Sequence, residues 1–156
     1  EIVGIQQSLT NFKRIASENS MTKMGKIAGV YVGDCYFHLS QYDDAIKYFR
    51  EGISKNPPKL TAVWAQMSIG YAFTRKSDYK SALTEFEKVI KDYPDSFLVP
   101  SAKLQMGYCY EKQNDIAKAK ETYEFIVNTY KDSNWKSEAE ARLAGLTGLV
   151  NSPSSG

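Results

Sequence analysis

Apolar residues in this chain fall at helical spacing in one stretch after another, with short polar turns between the stretches. Ala65, Ile69, Ala72 and Phe73 share one helix face, and Ala82, Leu83, Phe86, Val89 and Ile90 share another. Between them Arg75-Lys76-Ser77-Asp78-Tyr79 is polar turn material, as are Ser40-Gln41 and Asn114-Asp115 elsewhere in the chain. Pro57-Pro58 and Pro94 close the second helices of these pairs, because proline cannot continue a helix. Ser96 suits an N-cap, and Pro100 then falls in a first turn, where a missing N–H costs little. No segment alternates as a strand does. The pattern predicts an all-α fold of about eight helices.

The helical pairs repeat. Gly33, Gly70 and Gly107 stand 37 residues apart (107 − 70 = 70 − 33 = 37). The same offset relates Tyr36, Phe73 and Tyr110, then Ala45, Ala82 and Ala119, then Phe49, Phe86 and Tyr123. It also links Ala28, Ala65, Ala102 and Ala139, and it carries Pro57 to Pro94. So many matches at one offset, mostly in small or aromatic residues, mark a repeat protein. Phe12 lies one period before Phe49, so residues 1–20 read as the second helix of an incomplete N-terminal repeat, with Ile5 to Glu18 helical. Residues 21–132 hold three units, residues 133–149 form a C-terminal capping helix, and residues 150–156 read as a flexible tail.

A glycine, an aromatic three residues on, an alanine at twelve, an aromatic at sixteen and a proline at twenty-four together resemble the tetratricopeptide repeat (TPR) family. The resemblance implies a right-handed α-solenoid of antiparallel hairpins. Its small residues (Gly33, Ala45, Gly70, Ala82, Gly107 and Ala119) would sit where helices cross closely. The third unit departs from the pattern, with Lys131 in place of the closing proline. The period departs too: the usual one is about 34, and the extra residues fall between Pro94 and Gly107, lengthening a first helix. Tyr93-Pro94-Asp95-Ser96 before a long helix is similar to bacterial cell-envelope members. These include the periplasmic coordinator associated with the Tol–Pal system and the lipoprotein subunit of the outer-membrane β-barrel assembly machine. That likeness implies a periplasmic or envelope location, with the cytoplasm as the alternative. The chain opens at Glu1-Ile2-Val3 without an initiator methionine, which reads as a mature or trimmed fragment that has already lost any targeting segment.

Composition narrows the function. Twenty basic against eighteen acidic side chains leave +2, too balanced for a nucleic-acid partner. No apolar run approaches the roughly 20 residues that span a bilayer, so direct membrane insertion is not expected. Gly33-Asp34-Cys35-Tyr36-Phe37-His38 looks at first like chemistry, with a cysteine three residues from the only histidine. The repeat supplies an internal control. Cys35 aligns with Ala72 and Cys109, a position that wants a small buried side chain, and His38 aligns with Arg75 and Lys112, a polar helix end. Zinc sites want three or four such ligands, and no second histidine exists. We therefore expect no catalytic residue, no metal and no cofactor. Asp43-Asp44 reads as a helix start suited to the macrodipole, and Glu85, Glu87 and Lys88 as a solvated face.

What the resemblance leaves is protein binding. The family's groove positions carry over to Ile27, Val30, Asp34, Phe37 and His38 in the first unit and to Trp64, Met67, Tyr71, Thr74 and Arg75 in the second. In the third they fall on Ser101, Leu104, Tyr108, Glu111 and Lys112. The competing expectation makes Trp64 and Phe37 core. The positions corresponding to the family's carboxylate clamp are Val30, Asp34, Ser68, Ser101 and Gln105; none is basic, which argues against a chaperone-tail receptor. An aromatic groove suits a protein or peptide with hydrophobic anchors. The leading expectation is a non-catalytic interaction scaffold in a bacterial envelope complex. The alternative is a structural module that self-associates through its terminal helices, because Leu9, Phe12 and Ile15 need cover.

Overall fold

The computed structural model describes residues 2–131 and 133–150; the tail expected at 150–156 lies outside them apart from residue 150. Among the described residues there are eight α-helices and no strand. They are α1 (Ile2–Glu18), α2 (Lys23–His38), α3 (Tyr42–Ser54), α4 (Lys59–Arg75), α5 (Tyr79–Asp92), α6 (Val99–Lys112), α7 (Ile116–Thr129) and α8 (Asn134–Val150). The turns inside the hairpins are built alike. Ser40, Ser77 and Asn114 sit one period apart in left-handed backbone, at φ 59°, 59° and 60°. The next residue in each case donates its N–H back to Tyr36, Phe73 and Tyr110 respectively, a closure that satisfies carbonyls left open at a helix C-terminus. Asp78 and Asp115 then cap α5 and α7 by accepting the N–H of Ser81 and Lys118.

Each helix packs on the next, and α2 also touches α4, as α6 touches α8. The even-numbered helices therefore form one layer of the solenoid and α3, α5 and α7 the other. Three apolar clusters fill the space between the layers, one per hairpin, built around Phe49, Phe86 and Tyr123. Each ring lies against the glycine of its own hairpin. Ala65, Ala102 and Ala139, all fully buried, join the cluster of the hairpin before theirs. Small side chains there let successive hairpins close up.

Three local expectations change. The residues expected to lengthen a first helix fall in the turn before α6, which at 14 residues is shorter than α2 with 16 and α4 with 17. Helix α6 starts after Leu98, and Ser96 accepts the Leu98 N–H at 3.2 Å, so it shapes the turn before the helix instead of capping it. Pro100 does sit in the first turn. Glu85 does not lie on a solvated face. It is 3% exposed, and its carboxylate accepts from Gln66 Nε2 and an Arg50 guanidinium nitrogen, both at 2.7 Å, with Lys88 Nζ at 3.1 Å.

Candidate functional site

Three cavities run along the even-numbered layer. One of about 330 Å³ lies between α2, α4 and the start of α6, with Asp34, Phe37, His38, Trp64, Met67, Ser68, Tyr71, Leu98 and Ser101 around it. A second, of about 390 Å³, is walled by Tyr31, Leu60, Thr61, Trp64, Phe97 and Leu98. A third, of about 360 Å³, lies between α1 and α2 and shares Tyr31, Asp34 and His38. Because Trp64, Leu98, Tyr31 and Asp34 each line two of the three, the cavities form one continuous groove.

Aromatic rings give the groove its walls. Trp64 stands edge-on to the buried Phe49 at 5.8 Å and tilted against Tyr31 at 5.7 Å, so one side of the indole is core and the other is groove. Tyr71 meets Phe86 edge-on at 5.6 Å, and its hydroxyl lies 3.5 Å from Ser101 Oγ. Phe37 is braced edge-on by Tyr42 at 5.4 Å. Trp64 and Phe37 are each half-buried, and each lines the central cavity.

One assigned position belongs to packing in every unit. Val30, Met67 and Leu104 occupy the same place in the period and are 0%, 3% and 8% exposed. Val30 fits against Gly52, where a Cβ would lie 2.7 Å from its methyl. Val30 and Leu104 are corrected from groove to core, because neither can reach a partner; Met67 stays as the floor of the central cavity. Ile27 is half-buried on α2, and Arg75 is exposed at the end of α4. In the third unit the Tyr108 ring has the Lys112 ammonium and the Arg142 guanidinium near it, each at 5.3 Å, so α8 occupies that end of the layer. The open groove thus belongs to the first two units. Tyr31, Leu60, Phe97 and Leu98 line it without having been assigned. Leu60 and Phe97 were detectable: they stand one period apart, apolar at a helix start, and are 60% and 70% exposed.

The cysteines carry packing. Burial pushes the Cys109 thiol up to about 11, away from the thiolate a nucleophile needs, and burial with the Asp34 charge beside it raises Cys35 as well. Among the described residues no group of three or more His, Cys, Asp and Glu side chains could hold a metal. A Cys35→Ala/Cys109→Ala variant should fold with a loss within about 1–2 kcal/mol, each site giving up one buried sulfur. Thermal melting checks this, and stoichiometric zinc in the parent, absent from the variant, would overturn it.

Tetratricopeptide repeat family models match residues 32–58, 64–96 and 101–133. No curated protein sequence matches the chain. Among solved structures, the first TPR domain of human RPAP3 is 16% identical, with a TM-score of 0.63 over 83% of this chain and 94% of that one. TPR-like repeats assigned to a kinesin light chain of Podosopora anserina align at TM-score 0.74 and 11% identity, over 94% of this chain and 79% of that one. MamA from Desulfovibrio magneticus RS-1 aligns at TM-score 0.66 and 17% identity, over 97% and 88%. At these identities the likeness speaks for the fold alone.

Proposed function

Because the chain belongs to the tetratricopeptide repeat family, over more than half its length, we propose that it is a non-catalytic scaffold holding a segment of another protein in its groove. Proteins of this family mediate protein–protein interaction. The observation that carries the groove reading is the continuous aromatic channel centred on Trp64, which three adjoining cavities share or border. Residues 2–18 act as the second helix of an incomplete unit, three units follow, and α8 closes the stack. An envelope location is supported by Tyr93-Pro94-Asp95-Ser96 alone; antibody detection of the protein in fractionated cells of its source would test it.

Aromatic anchors at an interface centre commonly cost 2 kcal/mol or more when truncated. Trp64→Ala should therefore weaken a peptide selected on the wild-type protein by roughly 30-fold, at about 1.4 kcal/mol per tenfold. Lys91→Glu, exposed on α5 in the other layer, should change affinity little. Lys88 is unsuited to that control because it donates to Glu85. Since Trp64 also braces Phe49, both variants must be melted before affinities are compared. Loss of binding in Lys91→Glu but not in Trp64→Ala would place the working surface on the opposite layer.

A second reading has its own observation. Helix α1 contacts α2, has no fully buried residue and leaves Ile2 63% and Val3 75% exposed. Self-association through that end would cover them. Light scattering that shows a monomer across the concentration range rules it out.

A further inference from the structure

We propose that the groove selects a segment with a lysine or arginine next-but-one to a large apolar residue, the cation seated at Asp34 between Phe37, Trp64 and Tyr71. The apolar side chain would fill the adjoining cavity of Tyr31, Leu60 and Phe97. This rests on the reading of the groove as the partner site and adds what that site recognises.

Charge complementarity carries the argument. The polar groups around the central cavity are mostly engaged: Ser68 donates to the Trp64 carbonyl, and Tyr71 and Ser101 face each other. Asp34 is different. Its side chain is 26% exposed, and among the described residues its ion-pair partner is His38, at 3.5 Å, which carries charge only when protonated. Burial raises the Asp34 carboxyl above its ordinary range, with the His38 charge pulling the other way, so the folded protein under-compensates this carboxylate. A ligand cation offsets that deficit. The position is also singular, because one and two periods on it is held by Tyr71 and Tyr108. Rings on neighbouring walls favour a cation further, since their faces attract positive charge and repel a carboxylate.

The apolar half follows from adjacency. Trp64 and Leu98 line both cavities, and residues i and i+2 of an extended segment project to the same side ~7 Å apart. One short segment can therefore place a cation in one cavity and an apolar anchor in the other.

The test uses the whole protein and a displayed library of random octapeptides, capped at both ends. Selection on wild type should enrich Lys or Arg two positions from Leu, Phe or Trp. A selected peptide should bind Asp34→Asn about tenfold more weakly, the usual scale for one hydrogen bond to a charged group. Its norleucine-for-lysine version should bind both proteins alike. Asp34→Lys should turn selection towards Glu or Asp, a readout that a folding defect cannot produce. Apolar-only binders indifferent to Asp34→Asn overturn this proposal and leave the groove reading standing. Binders indifferent to Trp64→Ala, or no binders at all, sink both. A wild-type dimer that Trp64→Ala dissociates would give the groove to a second copy and overturn the proposal.

Discussion

Gly70→Ala is expected to lower stability by about 2 kcal/mol, while Gly29→Ala raises it by about 0.5–1 kcal/mol. Both glycines are interior to helices, where alanine is the better helix former, so propensity alone predicts the same sign for both. Packing separates them. A Cβ at Gly70 would lie 2.4 Å from Phe86 Cε1 and 2.7 Å from Cζ, and that ring is fully buried. The ring cannot turn aside, since Tyr71 packs edge-on against it at 5.6 Å. Overpacking of this kind costs about 1–3 kcal/mol, and a buried ring that cannot give way puts it at the upper end, beyond the propensity gain. A Cβ at Gly29 meets nothing within 4 Å. For a chain this long, about 2 kcal/mol corresponds to a drop of roughly 4–8 °C in melting temperature. If Gly70→Ala melts with or above the parent, the hairpin crossing is not where the repeat puts it.

The same pairs explain what could be read from the sequence. Gly33, Gly70 and Gly107 announce themselves because the opposing aromatic recurs at a fixed distance, so period and contact are one signal. The groove is harder. An even-numbered helix touches its hairpin partner, its neighbours in the layer and the groove, and i, i+3, i+7 spacing does not mark where one face ends. Val30 and Leu104 fell on the wrong side of that line, while Met67, at the same repeat position and just as buried, still floors the central cavity. Tyr31 was missed for the opposite reason: its counterparts are Ser68 and Gln105, so the repeat gave no apolar signal there. Glu85 hid in the same way. One period away stand Tyr48 and Thr122, and the counterparts of its partner Gln66 are Gly29 and Lys103. A contact made in one unit only is invisible to a search for what the units share.

Glu85→Ala should cost about 3 kcal/mol at neutral pH, at the low end for breaking a buried charged network. Arg50 and Lys88 are half-exposed and can be rehydrated, but the buried Gln66 amide loses its 2.7 Å acceptor. Gln66→Leu should cost less, because Arg50 and Lys88 still face the carboxylate, and the double variant should fall short of additivity by about 1 kcal/mol or more. Acid supplies an independent check. Burial alone would raise the Glu85 carboxyl, yet the donors Gln66, Arg50 and Lys88 outweigh it and hold the carboxyl below its ordinary value of 4.5. A carboxyl depressed in the folded state stabilises fully above its unfolded value and loses that contribution as pH falls through the folded one. The stability gap between parent and Glu85→Gln should thus stay constant from pH 8 to 6 and narrow below about pH 4.5. A gap that widens on acidification would mean that burial dominates and the network does not hold the charge. Gln66 lies two residues beyond Trp64 on α4, so these bonds also fix the rotation of the helix that presents the indole to the groove. Glu85→Ala should accordingly weaken selected peptides even under conditions where the variant remains fully folded, and unchanged affinity there would separate the network from the groove.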